Sequence, residues 1–301
     1  MIAWILEPLR YGFMQRGLIA SLLVGVLCAV VGCYVVLRSM AFLGDALAHA
    51  ILPGIAVAYL LKVDLLVGAT IAALLVAVGI AAISQRGVIR EDTAIGILFA
   101  AALSLGVALI SRMKSYAVDL THILFGHVLG VGVRDLWLIG LLGAAVLLMI
   151  LLLFKEFLVV SFDPVLAATL RLPAGRLRLL LLVLLALTIV VSLQTVGVGL
   201  VAAMLVTPAA TAHLLTHRLA RMMGLAAGLG AFSAVAGLYL SYYGDIPSGP
   251  AVVLVATALF LLAFAFAPKH GFVWVRLHQW GRIGRGQRES AGPCDRSDAA
   301  R

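Results

Sequence analysis

Apolar runs dominate the chain, separated by short polar connections, and most are long enough to cross a bilayer, about 17–25 residues each. They fall at 17–37, 42–61, 65–85, 93–112, 133–154, 178–196, 199–216, 222–243 and 247–267. The pattern predicts an all-α, polytopic membrane protein with eight or nine transmembrane helices. Residues 1–16 read as an N-terminal amphipathic segment, 17–267 as the membrane domain, and 268–301 as a basic, disordered cytoplasmic tail. Within 199–216, Thr207-Pro208 interrupts the helical ladder, which suits either a hinge or a carbonyl satisfied by neighbouring helices.

The connections give the orientation. The tail from Lys269 to Arg301 holds seven Lys/Arg against three Asp/Glu. Lys155, Arg171, Arg176 and Arg178 cluster after the fifth run, and His217, Arg218 and Arg221 after the seventh. All three regions read as cytoplasmic by the positive-inside rule. The residues between the last two must then cross twice, turning at Gly197-Val198-Gly199. Counting back puts Arg86–Arg90 inside and Lys62–Asp64 outside. Nine crossings place the N-terminus outside, where Arg10 and Arg16 are disfavoured, so 116–131 is the expected re-entrant segment. The first residues lack a basic stretch and a small-residue cleavage site, so no cleaved signal peptide is expected.

Composition supports this class and narrows the partners. Of 301 residues 64% are hydrophobic and 12% charged, at a mean hydropathy of +1.16; a soluble domain averages about 25% charged. The net charge of +9 resides in the tail and short loops, which suits anionic lipid rather than nucleic acid. Cys28 and Cys33 lie in an apolar helix and Cys294 in the tail, so no disulfide framework is implied. Gly224-xxx-Gly228 and Gly126-xxx-Gly130 have the spacing that lets helices approach closely in lipid, against the plain alternative that glycine is common in membrane helices.

Asp45 and His49 stand out chemically. Ionisable groups at membrane depth cost several kcal/mol unless compensated, so they default to functional candidates. Their i, i+4 spacing puts a carboxylate and an imidazole on one helical face, where both can meet one ion. Pro53-Gly54 follows one turn later and predicts a kink or break beside the pair. The chain carries no Gly-x-x-x-x-Gly-Lys-Ser/Thr phosphate loop, no Ser-His-Asp arrangement and no His-Glu-x-x-His motif. It is therefore read as a non-enzyme whose work is driven by a partner or an ion gradient. In Ser161–Pro173, Asp163 suits an N-cap, Pro164 the first helical position and Pro173 the end. Val165, Leu166 and Leu170 form an apolar stripe that either lies on headgroups or docks into another protein.

Six motifs in order resemble the permease subunits of the ABC importers for manganese, zinc and iron, across roughly residues 10 to 270. They are Asp45-xxx-His49 with Pro53-Gly54, Arg90–Ile97, His122–Gly126, Ser161–Pro164, Thr207–Ala212 and Ile246–Pro250. The resemblance implies a bacterial cytoplasmic-membrane subunit that works as a dimer, homodimeric or with a related subunit. Its implied partners are cytosolic ABC ATPases and an extracytoplasmic metal-binding protein. It implies that Asp45 and His49 contribute to the metal path, and that 163–172, with Asp163, Pro164, Leu166, Leu170 and Arg171, is the coupling helix seated on the ATPase. No permanent cofactor is expected; the metal is the substrate. Two copies would offer two carboxylates and two imidazoles, a mixed O/N set suiting Mn²⁺, Fe²⁺ or Zn²⁺ and lacking the thiolates that favour Cu(I). Similarity of Arg90–Gly96 and Ser192–Gly197 to the manganese-type members puts Mn²⁺ first, then Zn²⁺ and Fe²⁺.

The other polar residues read differently. Glu91 and Asp92 suit N-capping and the helix dipole. His127, with His122 and Asp119, is at most an accessory ligand. His213 suits a helix C-terminus, and Asp245 fits either turn chemistry or docking of the delivery protein. The competing functions are a proton-coupled secondary metal transporter using Asp45/His49 as a relay, an intramembrane metalloenzyme, which would want a third permanent ligand, and an export permease.

Overall fold

A computed structural model describes residues 7–85, 89–112, 128–162, 164–216 and 218–266. Among these, twelve α-helices occur: α1 Gly12–Leu37, α2 Ala41–Ala50, α3 Leu52–Leu61, α4 Leu65–Gln85, α5 Glu91–Ile110, α6 Val133–Leu152, α7 Phe154–Phe162, α8 Pro164–Thr169, α9 Ala174–Val196, α10 Val198–Leu215, α11 Leu219–Gly244 and α12 Ser248–Phe266. Eight helices are long and apolar enough to cross a membrane, counting Ala41–Leu61 as one broken span. This is the predicted all-α architecture, and every span boundary lies within five residues of the apolar run that predicted it. The largest difference is at α1, which begins at Gly12. The predicted re-entrant segment lies outside the described residues except for its end, where Val128–Gly130 forms a 3-10 turn.

Helix α1 is the central post, packed by α6, α9, α10 and α11, while α2 and α3 lie between α10, α4 and α5. The closest crossings occur where a glycine faces the backbone of the neighbouring helix. A Cβ on Gly25 would lie 2.7 Å from the Gly230 carbonyl oxygen, one on Gly32 would overlap the Leu205 carbonyl, and one on Gly54 would overlap that of Gly68. Lipid offers no hydrophobic drive for helices to associate, so such close backbone contact supplies much of the attraction. The Gly224-xxx-Gly228 spacing does not work this way within the chain, since a Cβ on either residue meets nothing within 4 Å.

Two ends of the bundle are chemically distinct. At one, the Gln85 amide donates to the Gly175 carbonyl (3.3 Å) and Arg178 pairs with Glu91. At the other, Arg134 approaches Asp64 (3.9 Å), and Met14, Val128 and Leu238 cluster with Tyr242. The first helix therefore starts at the end opposite the basic connections. Arg10 and Arg16 stand there against the charge rule because Met14 and Gly17 pack on Val128.

Candidate functional site

Helix α2 is built for close packing on one side. Leu43, Ala46, Leu47, Ala48 and Ala50 are buried, and Gly44 lets the helix settle against Ala202 and Leu205 of α10. The opposite side carries Asp45 and His49, whose side chains remain 39% and 26% exposed. His49 Nε2 stands 3.6 Å from Asp45 Oδ1. Two donors at that separation can share a cation held at about 2.1 Å from each, with an angle near tetrahedral. Among the described residues, no group of three or more His, Cys, Asp or Glu could hold a metal ion. The described residues of one chain thus bring two such donors together rather than a closed cage.

The expected break beside the pair is present. Pro53 has no N–H to donate to the His49 carbonyl, so the ladder is interrupted there; the chain turns at Ile51 and restarts as α3. Helix α5 braces both parts. Phe99 meets Phe42 edge-on (centroids 5.6 Å) and His49 (6.2 Å), while Gly106 admits the backbone of Leu52-Pro53. Phe99 was not a candidate from sequence, because an aromatic in an apolar run carries no signal of its own. Along the helix, at 1.5 Å per residue, Asp45 lies about 6 Å and His49 about 12 Å from the Ala41 end.

That end holds an unexpected charge cluster. The N-cap of α5 is Arg90, whose side chain makes no capping hydrogen bond, and Glu91 sits in the first turn, where a carboxylate complements the dipole. The Glu91 carboxylate receives both Nε (2.8 Å) and Nη2 of Arg178 on α9 in a two-pronged pair. Arg38, just after α1, lies beside them with its Nη1 buried and no hydrogen-bond partner among the described residues. Burial lowers the Arg38 pKa, Glu91 acts against that fall, and Arg178 adds to it.

The predicted coupling element is shorter than 163–172. Helix α8 spans Pro164–Thr169, with α7 preceding it in the chain. The chain leaves α8 through Arg171 in the left-handed region (φ 53°), with the Leu172 N–H bonded back to the Ala167 carbonyl (3.0 Å). This is a Schellman closure with arginine where glycine is usual. Leu166 and Leu170 are 45% and 56% exposed, while Ala167 faces inward. Asp163, Asp119, His122 and His127 lie outside the described residues. His213 is exposed near the end of α10. Asp245 closes α11 in the left-handed region (φ 49°), so turn geometry accounts for it.

Comparison with known proteins agrees over nearly the whole chain. Residues 10–267 match the model of the ABC 3 transport family. The chain is 49% identical over 265 residues to the manganese transport system membrane protein MntC of Halalkalibacterium halodurans, covering 88% of this chain and 91% of that protein. It is 43% identical over 260 residues to the manganese import system permease protein ScaB of Streptococcus parasanguinis, covering 86% and 92%. Among solved structures, PsaBC from Streptococcus pneumoniae in complex with Fab superposes with a TM-score of 0.81 at 41% identity, over 92% of this chain and all of that one. With the family's whole matching region, its relatives' lengths and a solved fold all coinciding on the same membrane bundle, the chain belongs to the ABC 3 transport family.

Proposed function

We propose that the chain is the membrane-spanning subunit of an ATP-driven importer of divalent transition metal ions in the bacterial cytoplasmic membrane, with Mn²⁺ the preferred cargo and Zn²⁺ or Fe²⁺ the alternatives. An extracytoplasmic binding protein would deliver the ion, and separate cytosolic ATPases would supply the energy. The observation that carries this reading is the Asp45/His49 pair, 3.6 Å apart on a broken helix and half open to the outside of one chain. A carboxylate left facing lipid is costly. A second copy across a two-fold axis would cover it and bring four donors to one pathway. Oxygen and nitrogen donors suit Mn²⁺, Fe²⁺ and Zn²⁺ alike, so chemistry gives the class. The preference for manganese rests on what the relatives transport by name.

A conducting site must bind weakly enough to release, which an open pair of donors suits better than a closed cage. The exposed Leu166 on α8 and Leu170 just after it are the natural ATPase contact, since both are apolar and lie in the basic connection preceding α9. Replacing both with Asp is expected to abolish co-purification of the ATPase while the permease still inserts; retention of the ATPase would remove this assignment. For the function itself, vesicles holding permease, ATPase and binding protein should accumulate Mn²⁺ only with ATP inside. Uptake that persists without the ATPase and follows the proton gradient would establish the secondary-transporter reading instead.

A further inference from the structure

We infer that Glu91 is a positioning residue that couples the ATPase-facing end to the metal pair by exchanging its partner between Arg178 and Arg38. The inference rests on α8 being the ATPase contact. Three features of the fold carry it. The path from that contact to the metal pair is short and stiff. Helix α8 closes through Arg171 and the Leu172–Ala167 hydrogen bond directly into α9. Arg178 stands one turn into α9 and grips Glu91 on α5 through two nitrogens. Eight residues further along α5, about 12 Å at helical rise, Phe99 lies against the His49 ring. A displacement of the start of α9 is thereby delivered to the imidazole by one ion pair and two turns of rigid helix.

The second feature is the surplus cation. One carboxylate serves two guanidinium groups, and the pair is two-pronged on Arg178 alone. Arg38 is left with a buried Nη1 that has no acceptor among the described residues. A buried unsatisfied donor on a charged group is destabilising, and here the nearby Glu91 carboxylate acts on that charge. A carboxylate that moved to Arg38 would satisfy it and release Arg178, giving two discrete arrangements rather than one. Such a two-state element is what transmits an effect between separated sites. The third feature is connectivity. Arg38 is joined to α2 through Ser39 and Met40 only, so its pairing state reaches the helix that holds Asp45 directly.

The test uses the full complex of permease, ATPase and binding protein in vesicles, reading Mn²⁺ taken up per ATP hydrolysed. Glu91→Gln and Arg38→Gln are each expected to keep the ATPase bound and to lower that ratio tenfold or more. Wild-type ratios in both would overturn the inference. The exchange of charges, Glu91→Arg with Arg178→Glu, separates a switch from a plain staple. It restores an ion pair and the melting temperature, yet the carboxylate then belongs to α9, so α5, which carries Phe99, no longer moves with it between partners. Coupling should therefore stay lost in the exchanged variant, and full recovery of uptake would reduce the pair to a structural clasp. Loss of the α8 reading shows up independently, as ATPase retained by the Leu166/Leu170 variant.

Discussion

Asp45→Asn is expected to lower Mn²⁺ uptake at least ~100-fold, because even groups that only orient a metal ligand contribute 10–100-fold to affinity or activity. The amide keeps the size of the carboxylate and one oxygen, but loses the charge that draws a divalent ion out of water. His49→Ala should match it, since the remaining carboxylate alone cannot define the site. Two copies across the pathway would lose both donors at once. The same Asp45 change should leave the melting temperature in detergent unchanged or higher, because it removes an ionisable group from a half-open position at membrane depth. ATPase co-purification should be intact. Wild-type uptake in either variant would exclude these residues from the metal path.

The largest structural effect is expected at Gly32. A methyl group there would overlap the Leu205 carbonyl and press on Ala209 at 3.4 Å. The obstacle is backbone rather than a side chain that can turn away, so α1 and α10 must move apart. Overpacking typically costs about 1–3 kcal/mol, and a rigid backbone obstacle belongs at or above the top of that range. Gly32→Ala should thus show a markedly lowered melting temperature and reduced yield of inserted protein. Gly228→Ala is the matched control, with nothing within 4 Å of the added atom. Equal stability of the two variants would show that α10 is not seated on α1 as described. Because α10 also receives α2 at Gly44, metal uptake in any surviving Gly32→Ala protein should fall as well.

Much of this molecule is legible in its sequence because lipid imposes a simple rule: a backbone crossing it must satisfy its own hydrogen bonds. The fourth run, 93–112, and the third, 65–85, were read almost to the residue for that reason. The interruption at Pro53 was equally readable, since a missing N–H has one consequence in a helix. What escaped notice depends on neighbours distant in the chain. Glu91 looked like a capping residue because its own helix offers a dipole, and only the fold brings Arg178, 87 residues later, to its carboxylate. The glycine crossings escaped for the same reason. Spacing suggested Gly224 and Gly228, whereas contact selects Gly25, Gly32 and Gly54. The separate α7 was hidden because its apolar residues continue those of α6, and the break falls at Leu153 without proline or glycine.

The link between α1 and α2 is only Arg38, Ser39 and Met40, with Ser39 in the left-handed region (φ 56°) and the Met40 N–H bonded to the Val35 carbonyl (3.0 Å). So tight a corner has no slack to absorb motion. The innermost post and the helix that carries Asp45 and His49 must consequently tilt together. An importer made this way cannot open its pathway by bending at that corner; it has to rock both helices as one unit against the rest of the bundle.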